Sequence, residues 1–183
     1  KITNSATVHG GINNVKGGVK AVTQDGGSVY LTSVVDDDYT LSGGNLYVNA
    51  SNVIDTLWMS GGLMKLTNSE LTLTGGQITG GTITIDPSKL TIANGAVNTA
   101  ILSMPNDDSS TFTVTGANTK FTAQSGSDIL GGIINVGNGT DRSELYLNGT
   151  DFQKSIVNVY AGSYLQTDKD TSFTNNSTAI NNY

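Results

Sequence analysis

Pairs of glycine recur along this chain in one local setting: Gly26-Gly27 before SVYLT, Gly43-Gly44 before NLYVN, Gly61-Gly62 before LMKLT, Gly80-Gly81 before TITID, and Gly131-Gly132 before IINVG. The first four follow one another in steps of 17, 18 and 19, and the fifth comes after 51, three steps of 17. A unit this short cannot bury an apolar face alone, so a loose period of about 17 to 20 residues points to a solenoid whose units stack on one another. The expected fold is all-β, a parallel β-helix of about nine or ten coils, forming one rod on the order of 45 Å long at the spacing of neighbouring strands.

The segments between the glycines agree. Thr72, Leu73, Thr74 and Thr82, Ile83, Thr84, Ile85 follow a two-residue period, and so do Val29, Leu31 and Leu46, Val48. Apolar residues nowhere recur at helical spacing for three turns, and Gly, Thr, Asn and Ser are poor helix formers, so almost no helix is expected. In LTLTGGQITGGTITID, residues 71–86, Gly75-Gly76 and Gly80-Gly81 read as two corners of one coil. A phosphate-binding loop would need a helix after the glycines, and none follows. Inward Ile, Leu and Val then stack as ladders in a narrow core, while outward Thr, Asn and Ser form polar ladders between coils.

Charged residues are 13% of the chain and its net charge is −6, so the polar surface is mostly uncharged. The nine basic residues are scattered and form no patch for a run of phosphates, which argues against nucleic acid as a partner. With no cysteine there are no disulfides or thiolate metal sites. No apolar run is long enough to insert in a membrane, and the N-terminus lacks a signal-peptide pattern. A start at Lys1 without methionine reads as an excised piece or a processed product, with residues 1–183 forming one β-helix segment.

The stretch TFTVTGANTKFTAQSGSDILGGIINVGNGTDRSELYLNGTDF, residues 111–152, resembles the repeats of autotransporter-type bacterial surface proteins. The matching pieces are Thr113 to Phe121, Ile133 to Gly139 and Ser143 to Gly149, and IVNVYAGSYLQTDKDTSF looks like a further copy. The resemblance implies a right-handed, pectin-lyase-like parallel β-helix displayed on a bacterial cell surface, where many such passengers are adhesins or self-associate.

Parallel β-helices also include polysaccharide lyases and tailspike glycosidases, and glycosidic cleavage usually needs two facing carboxylates. Asp36-Asp37-Asp38 reads as a solvated turn rather than a calcium or catalytic site, because calcium takes six to eight oxygens from several segments. Asp107-Asp108, after Pro105, marks another exposed turn. Asp141, Arg142 and Glu144 read as a surface loop with local charge pairing. His9 is the only histidine and has no second histidine to build a metal site or triad. Trp58, in DTLWMSGG, is expected to pack against the core, with a sugar-stacking platform as the other reading. Tyr30, Tyr39, Tyr47, Tyr146, Tyr160 and Tyr164 fall at no constant phase, so no sugar-binding stripe is visible. Thr-x-Thr pairs are too irregular for an ice-binding array, and the sequons at Asn49, Asn138, Asn148 and Asn175 are expected by chance.

These readings favour a non-catalytic stalk or adhesive segment, with no cofactor and no metal, whose partners are a host surface protein or glycan, or further copies of itself. The alternative is a carbohydrate-binding or carbohydrate-cleaving β-helix.

Overall fold

The computed structural model describes residues 6–15, 19–32, 35, 38–51, 53–105, 109–174 and 179–183. The first turns carry β1 (Ala6–Val8), β2 (Ile12–Val15), β3 (Val22–Gln24), β4 (Ser28–Leu31), β5 (Asp38–Leu41) and β6 (Asn45–Val48). Next come β7 (Thr56–Met59), β8 (Leu63–Leu66), β9 (Glu70–Leu73), β10 (Gly75–Ile78), β11 (Thr82–Ile85) and β12 (Lys89–Ile92). The second half holds β13 (Val97–Met104), β14 (Thr111–Val114), β15 (Lys120–Ala123), β16 (Asp128–Ile129), β17 (Ile133–Val136) and β18 (Glu144–Leu147). It ends with β19 (Asp151–Gln153), β20 (Ile156–Val159), β21 (Tyr164–Thr167), β22 (Ser172–Thr174) and β23 (Ala179–Asn182).

The strands pair in parallel and wind into a β-solenoid with three faces. The first face stacks β1, β3, β5, β7 and β10, then resumes with Val97–Ala100 of β13, β15, β18 and β21. The second stacks β2, β4, β6, β8, β11, the end of β13, β16, β19 and β22. The third holds β9, β12, β14, β17, β20 and β23, preceded by a bridge from Val19 to Val35 and by the Val35 N–H donating to Val53 C=O.

About eight turns carry the chain from β1 to β21, against the nine or ten expected, because the turns lengthen. Register partners Ala6 and Val22, Val22 and Tyr39, Asp38 and Thr56, and Thr56 and Gly75 differ in position by 16, 17, 18 and 19. Val97 and Lys120, then Lys120 and Glu144, differ by 23 and 24.

The first four glycine pairs named above, and Gly10-Gly11 before them, form the corner between the first and second faces. The second member of each has positive φ, from 63° at Gly27 to 91° at Gly81. Gly131-Gly132 is out of phase with them and turns the chain between the second and third faces, after β16. Three steps of 17 were therefore the wrong extrapolation: β13 passes from first face to second without a break, and later turns are longer. Gly80-Gly81 is a corner as expected, whereas Gly75 and Gly76 open β10 itself, with Thr74 alone separating it from β9. Hydroxyl residues take over at other corners: Ser69, Ser110 and Ser155 donate to the carbonyls of Val48, Ile85 and Ile129 in the turn before.

Alternation within each short strand sends every second residue inward, so Val29, Leu46, Met64 and Leu71, Leu90, Phe112 stack in fully buried columns. A buried tyrosine–glutamine pair joins this core. Tyr39, fully buried, donates its hydroxyl to Gln24 Oε1 at 2.7 Å, and Gln24 Nε2–H donates to Asn45 C=O at 3.0 Å. Tyr39→Phe leaves the Gln24 oxygen without its hydroxyl partner and is expected to cost about 1–3 kcal/mol in urea denaturation. Burial also pushes the Tyr39 phenol well above its ordinary value of 10.0. The folded protein therefore keeps this proton where the unfolded chain releases it. The Tyr39 contribution to stability is full below pH 10.0 and falls as pH rises toward the elevated pKa, and this part of the alkaline slope is lost in Tyr39→Phe.

Candidate functional site

The outward half of each alternation makes the surface, and on the third face one of its two columns is a polar ladder, the other running Glu70, Lys89, Thr111, Ile133, Ile156 and Ala179. Thr72, Thr91, Thr113, Asn135, Asn158 and Asn181 occupy one register column across six turns. Asn181 Nδ2 donates to Asn158 Oδ1 at 2.9 Å, Asn158 Nδ2 to Asn135 Oδ1 at 2.9 Å, and Asn135 Nδ2 to Thr113 Oγ1 at 3.3 Å. Identical amides on consecutive rungs satisfy one another because the rung spacing matches an amide hydrogen bond. The ladder is a neutral, partly exposed column.

The second face places Tyr30, Tyr47, Lys65, Thr84, Ser103, Asp128, Asp151 and Ser172 in one outward column. Tyr30 and Tyr47 stack with centroids 4.7 Å apart. Asp128 and Asp151 are adjacent in register, a juxtaposition that sequence reasoning misses although their spacing matches the local turn length. Desolvation, then the Asp151 charge, raises the Asp128 carboxyl, while a hydrogen bond from Ser172 at 2.7 Å holds Asp151 below its ordinary value. The two stand side by side on one sheet surface, not on facing walls.

A groove of about 350 Å³ lies beside the first face, between Val97, Asn118, Lys120, Arg142 and Glu144. Arg142 Nη2 is 2.9 Å from Glu144 Oε1, as the expected local pairing required, but Glu144 sits on β18 and also meets Lys120 at 3.4 Å. Its carboxyl is held low first by the Tyr146 hydroxyl, which donates to Oε2 at 2.9 Å. Lys120 Nζ also lies 3.9 Å over the Tyr146 ring. Asp141 instead accepts from Asn138 Nδ2 at 3.3 Å. A second groove, about 370 Å³, crosses the corner between second and third faces, where its charged members Glu70 and Lys89 are 3.9 Å apart. Among the described residues, each of these grooves contains a single carboxylate.

His9 Nδ1 lies 2.7 and 2.8 Å from the two Asp25 carboxylate oxygens on the next turn, both side chains being exposed. Among the described residues no group of three or more His, Cys, Asp or Glu could hold a metal ion. Asp38 is exposed at the start of β5; Asp36, Asp37, Asp107, Asp108 and Asn175 lie outside the described residues.

Trp58 departs from expectation. Leu57 and Met59 take the inward positions of β7, so Trp58 between them points outward and is 48% exposed. Three apolar residues in a row hid the phase of this strand; its register with Thr40 reveals it. Tyr39, in contrast, is core, and the other tyrosines pair across turns: Tyr146 with Tyr164, and Tyr160 with Tyr183.

Among the described residues there is no helix, and so none long and apolar enough to cross a membrane. No family model, curated protein or solved structure matches the chain.

Proposed function

We propose that this chain is a non-catalytic segment of a secreted bacterial surface passenger, serving as a stalk and in adhesion or self-association through a polar solenoid face. The observation that carries this reading is the third-face ladder from Thr72 to Asn181, with its chained asparagine amides. A column of uncharged hydrogen-bonding groups repeats the same weak contact at every rung, which suits adhesion over a length rather than capture in a pocket. The cell-surface setting rests on the resemblance of residues 111–152 to autotransporter repeats. The alternative, a carbohydrate-cleaving β-helix, needs carboxylates on opposite sides of a bond. Asp128 and Asp151 share one surface, and the two charged grooves hold one carboxylate each among the described residues.

Sedimentation velocity over a concentration series tests the self-associating role. The chain is expected to associate reversibly, and Asn158→Lys to weaken that association by about tenfold, since a symmetric contact meets the new charge twice. Circular dichroism should report an unchanged β-fold, because Asn158 is in an outward column. A chain that stays monomeric up to about 1 mM, or that associates equally well with lysine at 158, removes self-association from the proposal.

A further inference from the structure

We propose that Trp58 and its neighbours on the first face form a subsite for a neutral saccharide chain lying along the solenoid axis. Trp58 is the only tryptophan in the sequence. Its outward column runs Thr23, Thr40, Trp58, Gln77, one residue per turn. The adjacent outward column runs Asp38, Thr56, Gly75, so the rung beyond Trp58 carries no side chain at Gly75 to crowd the indole. On the other side of the indole, toward the corner with the second face, a groove of about 120 Å³ is lined by Trp58, Met59, Thr40, Ser60, Gln77 and Thr79.

Each feature of this groove selects against other ligands. Indole is a broad apolar surface with an electron-rich face, which complements the C–H face of a pyranose ring. Hydroxyl and amide groups surround it on the rungs before and after, and Gln77 is pre-positioned because its Nε2–H donates to Val97 C=O at 2.9 Å. Among the described residues none of the groove's lining side chains is ionic, so a charged ligand would lose hydration there without a partner. A peptide adds affinity to a sheet through an open backbone edge, whereas the backbone around Trp58 is already paired with β5 and β10 on either side. The rung spacing, about 4.8 Å, is close to the advance per ring of an extended pyranose chain, so a ring on Trp58 sets its neighbours over Thr40 and Gln77. The site lies on a different face from the asparagine ladder and stands independently of the self-association proposed above.

The single indole is also the reporter. Titration with cellohexaose, maltohexaose and chitohexaose, followed by tryptophan fluorescence and calorimetry, is expected to give a saturating response with at least one of them. Trp58→Ala should weaken the calorimetric binding by at least about tenfold and Gln77→Ala should weaken it less, with the circular dichroism of both variants unchanged. Asn158→Lys should leave binding intact. The proposal is overturned if none of the three sugars gives a saturating response, or if Trp58→Ala binds as the parent does. It is equally overturned if an oligogalacturonate or an oligoglutamate peptide binds as tightly as the neutral sugars.

Discussion

Gly44→Ala is expected to lower stability by on the order of 3 kcal/mol, although it adds a single methyl group to the chain. Two costs act together. Gly44 has φ +77°, and an L-residue held in that region costs about 1–2 kcal/mol. A Cβ there would lie 2.5 Å from Gly27 O and 2.6 Å from Gly26 C, backbone atoms of the turn below that cannot rotate away. Overpacking of this kind adds about 1–3 kcal/mol. Two control positions separate these costs. Gly162 has φ +77° but nothing within 4 Å of where a methyl group would stand, so Gly162→Ala should show the backbone cost alone. Gly10 has neither feature, and Gly10→Ala should be neutral to slightly stabilising through the unfolded chain. Thermal unfolding reads all three, with a fall on the order of 10 °C for Gly44→Ala. Equal shifts at Gly44 and Gly162 would mean that the stacked glycine corner is not close-packed.

The second large effect is expected at Asn98, where the first face is interrupted. The ladder from β1 ends at β10, and the next strand on that face, β13, is joined to it by side chains. Asn98 is fully buried; its Oδ1 accepts from Ile78 N–H at 3.1 Å and from Asn94 Nδ2 at 2.9 Å. Its Nδ2 donates to Ala96 C=O at 3.0 Å, Lys120 C=O at 3.1 Å and Asn94 Oδ1 at 3.0 Å. Asn98 is thus the buried centre of the joint, flanked by Gln77 Nε2–H donating to Val97 C=O and Asn94 Nδ2–H donating to Gly76 C=O. Asn98→Leu keeps the approximate volume and strands these partners, at about 1–3 kcal/mol for each buried group, so a total on the order of 4 kcal/mol is expected in urea denaturation. Amide exchange at Ile78 should accelerate with it. An Asn98→Leu protein that unfolds at the parent's urea midpoint would show that the joint is held by something other than this amide.

The asparagine at 98 and the tryptophan at 58 explain where legibility stopped. They stand in VNTAIL and TLWM, runs whose period-two phase can be assigned either way from the strand alone. The inward assignment of Asn98 depends on the gap beyond β10, and the outward assignment of Trp58 depends on the turn below it. Asp128 and Asp151 were hidden for another reason: the short turns of the first half do not predict a neighbour as far along the chain as Asp151 is from Asp128. The same lengthening carried Gly131-Gly132 to a different corner from the one its spacing implied.

Repetition of glycine pairs and two-residue alternation determined the architecture from the sequence by itself: short parallel strands, stacked turns, an aliphatic interior and outward threonine and asparagine. These are local consequences of backbone freedom at glycine and of alternating side-chain direction, which each segment expresses without knowing its neighbours. Tertiary structure alone decided which side chains meet from one turn to the next. That depends on the length of the turn between them, and a single insertion shifts by one place only the partners whose intervening turn contains it. The asparagine ladder, the paired aspartates, the amide joint at Asn98 and the open indole of Trp58 are all products of those individual turn lengths.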